Sequence, residues 1–153
     1  MSGTLFVGLG NMILCDDSIG IRIVEALKRD IPGLKSRIVE ICNLDLIYEI
    51  EGEPSVCFID SMLTGKYPPG HILEMDRSRI GEFRSNPSRY HGLNLFDLLD
   101  LGRKYGIGIA DDIRFFGIEV IDNVTFSEEL TPGMQSLFPG IVGRMRELTF
   151  CTN

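Results

Sequence analysis

The chain has 153 residues, the usual size of one domain, and is long enough to bury about two-thirds of the surface its unfolded form exposes; a single domain over residues 1–153 is expected. Apolar residues make up 44% and charged residues 24%, an ordinary globular balance that excludes a disordered or fibrous chain. A formal net charge of −7 repels a phosphate backbone, and the 15 Lys and Arg residues are scattered, which argues against a nucleic-acid partner.

Thr4-Leu5-Phe6-Val7 is a short apolar run closed by Gly8-Leu9-Gly10-Asn11, the pattern of a buried strand entering a tight turn. From Ser18 onward, Ile19, Ile23, Ala26 and Leu27 fall at helical spacing, and Ile31-Pro32-Gly33 stops that helix. Arg37 to Ile41 reads as a second strand and Leu44 to Ile50 as a short helix. Val56-Cys57-Phe58-Ile59 is a continuous apolar run, as in parallel strands covered on both faces, and it terminates in Asp60. A turn-rich stretch with Gly65, Pro68, Pro69 and Gly70 precedes a strand from His71 to Met75. The polar section up to His91 contains Asn86-Pro87-Ser88, and its part from Ser85 to Tyr90 is expected to be a mobile loop. Leu93, Phe96, Leu98, Leu99 and Leu101 give a helix, and Ile113 to Val120 a strand. Thr131-Pro132 opens the last helix as N-cap and first helical residue, with a kink expected at Pro139-Gly140.

Strands alternating with helices predict an α/β fold: a single three-layer domain with a mostly parallel twisted sheet flanked by helices on both faces. No apolar run approaches the roughly 20 residues that span a bilayer, and Met1-Ser2-Gly3-Thr4 leads straight into a strand pattern, so no membrane insertion is expected and the cytoplasm is the default location. The four cysteines, at positions 15, 42, 57 and 151, form no paired zinc or redox spacing and are expected to be reduced thiols, with packing roles for Cys57 and Cys15.

Ligands of open α/β sheets bind beyond the carboxyl ends of the strands, so the segment Asn11 to Asp17, Asp60 and His91 are expected to meet at that edge. Gly8-x-Gly10 lacks the third glycine of a dinucleotide fingerprint; Ile13 takes its place, and Asp16 and Asp17 repel a pyrophosphate, which leaves a nucleotide-binding domain as a minor reading. Taken one at a time, the candidates have bland explanations: an aspartate of the 16–17 pair as a helix-terminal carboxylate, His91 as a solvated loop residue. Asp60 is harder to dismiss, because a carboxylate at the end of a buried run must find partners or a wet edge. Together, Asp17, Asp60 and His91 make a three-ligand set for Zn, Ni, Mn or Fe with open positions for a substrate. His71 is assigned no role.

The block Gly8-Leu9-Gly10-Asn11-Met12-Ile13-Leu14-Cys15-Asp16-Asp17-Ser18-Ile19-Gly20 resembles the start of the hydrogenase maturation endopeptidases. Phe58-Ile59-Asp60 and His91-Gly92-Leu93 are similar to that family's metal-binding aspartate and histidine segments, and Gly117 to Val120 with Leu130-Thr131-Pro132 to its late strand and final helix. The resemblance implies a hydrolase, an endopeptidase that removes a C-terminal extension from the large-subunit precursor of a nickel-iron hydrogenase after nickel insertion. It implies Asp17, Asp60 and His91 as metal-contacting residues, Asp17 and Asp60 as catalytic, and Gly10, Asn11 and Asp45 as candidate substrate-binding residues. The metal is then a divalent ion, nickel supplied by the substrate, acting either on the scissile carbonyl or only as a recognition element. One departure is Cys42-Asn43-Leu44-Asp45, where the family commonly has an aspartate followed by glycines and a threonine. That departure keeps a second reading open, a non-proteolytic nickel-binding or metal-recognition protein on the same fold.

Overall fold

A computed structural model of the chain describes residues 3–40, 43–75 and 95–150. Its strands are β1 (Thr4–Leu9), β2 (Lys35–Val39), β3 (Ser55–Met62), β4 (Ile72–Met75) and β5 (Asp112–Glu119). The helices are α1 (Ile19–Asp30), α2 (Asp45–Ile50), α3 (Leu95–Lys104) and α4 (Pro132–Phe150), and a short 3-10 turn over Cys15–Ser18 precedes α1. The five strands form one sheet in the order β2-β1-β3-β5-β4. All neighbours are parallel except β4, which runs antiparallel on the edge against β5.

Every residue of β1 is buried, as its unbroken apolar run requires when both sheet faces are covered. Period-2 alternation divides the core into two layers. Val7, Phe58 and Phe115 point to the layer filled by α2 and α3 through Leu46, Ile50, Leu98 and Leu99. Phe6, Cys57, Ile59 and Phe116 point to the layer filled by α1 and α4 through Ile23, Leu27, Met134 and Met145. Burial pushes the Cys57 thiol up to about 12, so it packs as a small hydrophobe, as expected from its strand. This is the flanked, mostly parallel sheet predicted from the alternation of elements.

The chain leaves β1 through α1 toward β2 on one side and returns through α2 to β3 on the other side of β1. The topological switch point therefore lies between the carboxyl ends of β1 and β3, where open α/β sheets bind their ligands.

Several local readings change. β3 does not end at Asp60: Asp60, Ser61 and Met62 continue the ladder against Gly117, Ile118 and Glu119, so Asp60 stands inside the strand. β2 starts two residues earlier than expected, at Lys35, because its register is set by pairing with β1 while most of its side chains are exposed. α1 is not capped by an aspartate: the 3-10 turn comes first, and Ser18 at the N-cap makes no side-chain cap bond. At α4 the expected cap is present, the Met134 N–H donating to the Thr131 hydroxyl at 3.4 Å, and the helix runs unbroken through Pro139 to Phe150. The segment Ser85 to Tyr90, His91 and Cys42 lie outside the described residues.

Candidate active site

Three glycines let α1 press against the sheet at the switch point. A β-carbon on Gly20 would lie 2.2 Å from the Ile59 carbonyl oxygen and 2.7 Å from that of Leu9, so the first turn of α1 rests directly on the ends of β3 and β1. On Gly8 it would meet the Gly20 carbonyl oxygen at 2.8 Å, and on Gly10 the Asp17 carbonyl oxygen at 2.2 Å. These approaches are possible only without side chains, and they bring the 3-10 turn carrying Asp17 over the end of β3 carrying Asp60.

Asp17 is 2% exposed and Asp60 is fully buried. Both carboxylates hydrogen-bond to Ser61: its hydroxyl donates to Asp17 Oδ1 at 2.9 Å, and its main-chain N–H donates to Asp60 Oδ1 at 2.7 Å. Strand alternation explains the arrangement. Asp60 projects on the α2–α3 face with Phe58, Ser61 on the opposite face with Ile59, and Asp17 arrives from the α1 side to meet Ser61. Nothing in the sequence pattern singled out Ser61, because its role depends on which element is folded over it.

Asp16 has a different task. Its carboxylate accepts the N–H groups of Ile121 (3.2 Å), Asp122 (2.9 Å) and Thr131 (2.7 Å) and the Thr131 hydroxyl, which ties the 3-10 turn to the segment between β5 and α4. Cys15 N–H to Ser127 O, Asp16 N–H to Asp122 O and Ser127 N–H to Ile13 O reinforce the tie. Arg22 adds a bond to the Ser18 hydroxyl at 2.7 Å and one to the Glu128 carbonyl. Within the segment, Asp122 accepts the Val124 and Thr125 N–H groups and the Thr125 hydroxyl; these bonds hold its carboxyl below the usual carboxylate range. Asparagine at position 16 keeps the shape but turns an amide NH2 toward N–H donors. With one or two buried donors unsatisfied at about 1–3 kcal/mol each, Asp16→Asn is expected to lower stability by roughly 2–4 kcal/mol, measured by urea unfolding. An unchanged midpoint would show that the tie is dispensable.

Cys15 is buried with φ at +51°, an uncommon conformation for a residue with a side chain, and burial followed by the Asp16 charge raises its thiol pKa. The expected packing role holds, and neither it nor Cys57 is poised as a thiolate. Gly10 lies buried against Asp17. The Asn11 side-chain oxygen accepts the Ile13 N–H at 3.1 Å, shaping the turn out of β1. Asp45 stands exposed at the start of α2, its N–H donating to the Asn43 side chain at 2.9 Å. His71 stacks on Tyr67 with ring centroids 4.5 Å apart. A buried carboxylate that sequence reading did not single out, Glu119, accepts the Thr64 N–H at 2.8 Å and the Thr64 hydroxyl, bracing the turn after β3.

Among the described residues no group of three or more His, Cys, Asp or Glu side chains is placed to hold a metal. Asp17 and Asp60 share Ser61, and His91, the third expected ligand, lies outside those residues. Among the described residues, no helix is long and apolar enough to cross a membrane.

The chain has the fold of proteins solved as hydrogenase maturation endopeptidases. It superposes on the hydrogenase maturating endopeptidase HybD from E. coli with a TM-score of 0.74 at 23% identity, covering 95% of this chain and 90% of that one. On the [NiFe] hydrogenase maturation protease HybD from Thermococcus kodakarensis the TM-score is 0.69 at 22% identity, covering 95% and 97%. In sequence it is similar to the hydrogenase 2 maturation protease of Escherichia coli (strain K12), 28% identical over 107 residues. That match takes in 67% of this chain and spans 64% of the relative's length. No protein-family model matches the chain.

Proposed function

We propose that this protein is an endopeptidase that removes a C-terminal extension from the large-subunit precursor of a nickel-iron hydrogenase after nickel has been inserted. The observation that carries the reading is the pair of buried carboxylates, Asp17 and Asp60, brought to one serine at the switch point of a fold shared with the maturation endopeptidases. Two carboxylates with the imidazole of His91 would make an oxygen–nitrogen donor set suited to a first-row divalent ion, the chemistry that nickel carried by the precursor calls for. On this reading the metal arrives as part of the substrate. Asp17 and Asp60 would orient it against the scissile bond, and a carboxylate would take the proton of the attacking water and pass it to the leaving amine nitrogen as the C–N bond breaks.

The surroundings favour a protein substrate. Large apolar side chains stand exposed in the turns that follow the strands at the same edge: Ile13 after β1, Leu44 after β2, Leu63 after β3, and Val124 and Phe126 after β5. Exposed apolar side chains gathered at one edge of a fold suit the docking of another protein chain. A serine or thiol nucleophile is not favoured. Ser61 is buried with its hydroxyl spent on Asp17, and the raised pKa of Cys15 and of Cys57 keeps both as thiols. The proposed compartment is the cytoplasm, in keeping with the free thiols of Cys15 and Cys57.

The test is to mix the purified chain with nickel-loaded or nickel-free precursor and to read the precursor's C-terminal mass. Shortening of the loaded precursor alone is expected. Tight binding of the loaded precursor without shortening would favour the non-proteolytic nickel-recognition protein, and neither binding nor shortening would end both readings.

A further inference from the structure

Asp17 and Asp60 come from different elements, one on a short 3-10 turn and the other inside a central strand. A substrate that must meet both needs their carboxylates in one fixed relation, and an aspartate side chain has two torsions with which to lose it. Asp60 is referenced to the strand itself through the N–H of its neighbour. Asp17 has its reference through the Ser61 hydroxyl. Ser61 is well suited to this. It is 3% exposed, lies within the continuous β3–β5 ladder opposite Ile118, and has a short side chain with a single torsion to set.

We infer that Ser61 is a positioning residue for the proposed cleavage, its hydroxyl locking the Asp17 carboxylate in register with Asp60 so that both engage the substrate's metal together. The inference rests on the endopeptidase reading above. Ser61 touches neither substrate nor metal in this role; it acts through Asp17. A serine that merely satisfied a buried carboxylate would matter to stability. A positioning serine matters to the rate with bound substrate, because precise placement is realised at the reacting geometry rather than in overall docking.

The experiment compares the wild-type chain, Ser61→Ala and Ser61→Thr on nickel-loaded precursor, with kcat, KM and thermal melts for each. Ser61→Ala removes the hydroxyl and nothing else. It is expected to lower kcat roughly 10- to 100-fold, the usual effect of losing an outer partner of a ligating group, with KM close to wild type; the melting temperature falls as well, because the buried Asp17 carboxylate loses a donor, so all three chains are assayed well below their melting temperatures. Ser61→Thr restores the donor and is expected to recover most of kcat. The inference is overturned by a kcat for Ser61→Ala close to wild type, or by a kcat for Ser61→Thr no higher than that of Ser61→Ala. Failure of the wild-type chain to shorten the precursor removes the endopeptidase reading and this inference with it. Equal shortening by wild type and Ser61→Ala removes the role of Ser61 alone.

Discussion

Asp17→Asn and Asp60→Asn are each expected to reduce precursor processing by more than about 100-fold, since a contacting carboxylate should cost more than the 10- to 100-fold of an outer partner. The metal-free melting temperature should stay unchanged or rise. Both carboxylates are buried and each accepts a hydrogen bond from Ser61; facing one cation, as proposed, they would be left as like charges in a low-dielectric site once it is removed. Asparagine relieves that repulsion and keeps an oxygen to receive the Ser61 hydroxyl or N–H. Loss of function with retained or higher stability is the pattern of residues kept for activity. The opposite pattern, stability lowered by about 0.5–2 kcal/mol with processing intact, belongs to a helix-terminal or purely structural carboxylate. Melts in chelator beside one processing assay decide between them, and Asp16→Asn, destabilising by its tie to the β5–α4 segment, is the internal contrast.

Gly20→Ala is expected to destabilise the fold by about 3 kcal/mol or more, which lowers the melting temperature by roughly 6–12 °C in a chain of this size. Helix propensity alone predicts the reverse, since alanine is about 1 kcal/mol better than glycine inside a helix. Sterics win at this position, because the new β-carbon would sit 2.2 Å from the Ile59 carbonyl oxygen and 2.7 Å from that of Leu9. Both are backbone atoms of central strands, and neither can swing aside as a side-chain tip does. Gly143→Ala supplies the control: it lies in α4 with nothing within 4 Å of the new carbon, and propensity alone should make it neutral or stabilising by up to about 1 kcal/mol. A Gly20→Ala protein melting at or above the wild type would refute the close packing of α1 on the switch point. Processing should fall with it, because α1 carries the Asp17 turn.

Elements whose burial is extreme are legible in the chain alone. β1 and β3 are readable as unbroken apolar runs because parallel strands covered on both faces have no polar side, and α1 is readable because one face alone meets the sheet. The start of α4 is equally local, since Thr131 and Pro132 carry their cap and first-turn conformation with them. Asp60 stood out for the same reason, as a carboxylate at the end of an apolar run, and Asp17 through its place in the segment after the first strand and the resemblance of that block. The length of β3 beyond Asp60 was decided elsewhere, by ladder bonds to β5 that no local pattern contains. The edge strand β2, with most of its side chains in solvent, had too little apolar signal to fix its register without β1 beside it. The division of labour between the adjacent aspartates was invisible in sequence for a geometric reason. Neighbouring residues on a tight 3-10 turn point different ways, so Asp16 reaches Thr131 and the Asp122 N–H more than a hundred residues along the chain, while Asp17 reaches Ser61. Chemistry at a single position is local and can be read from the chain; the pairing of Asp17 with Asp60 through Ser61 exists only once three side-chain-free glycines let α1 settle onto the sheet.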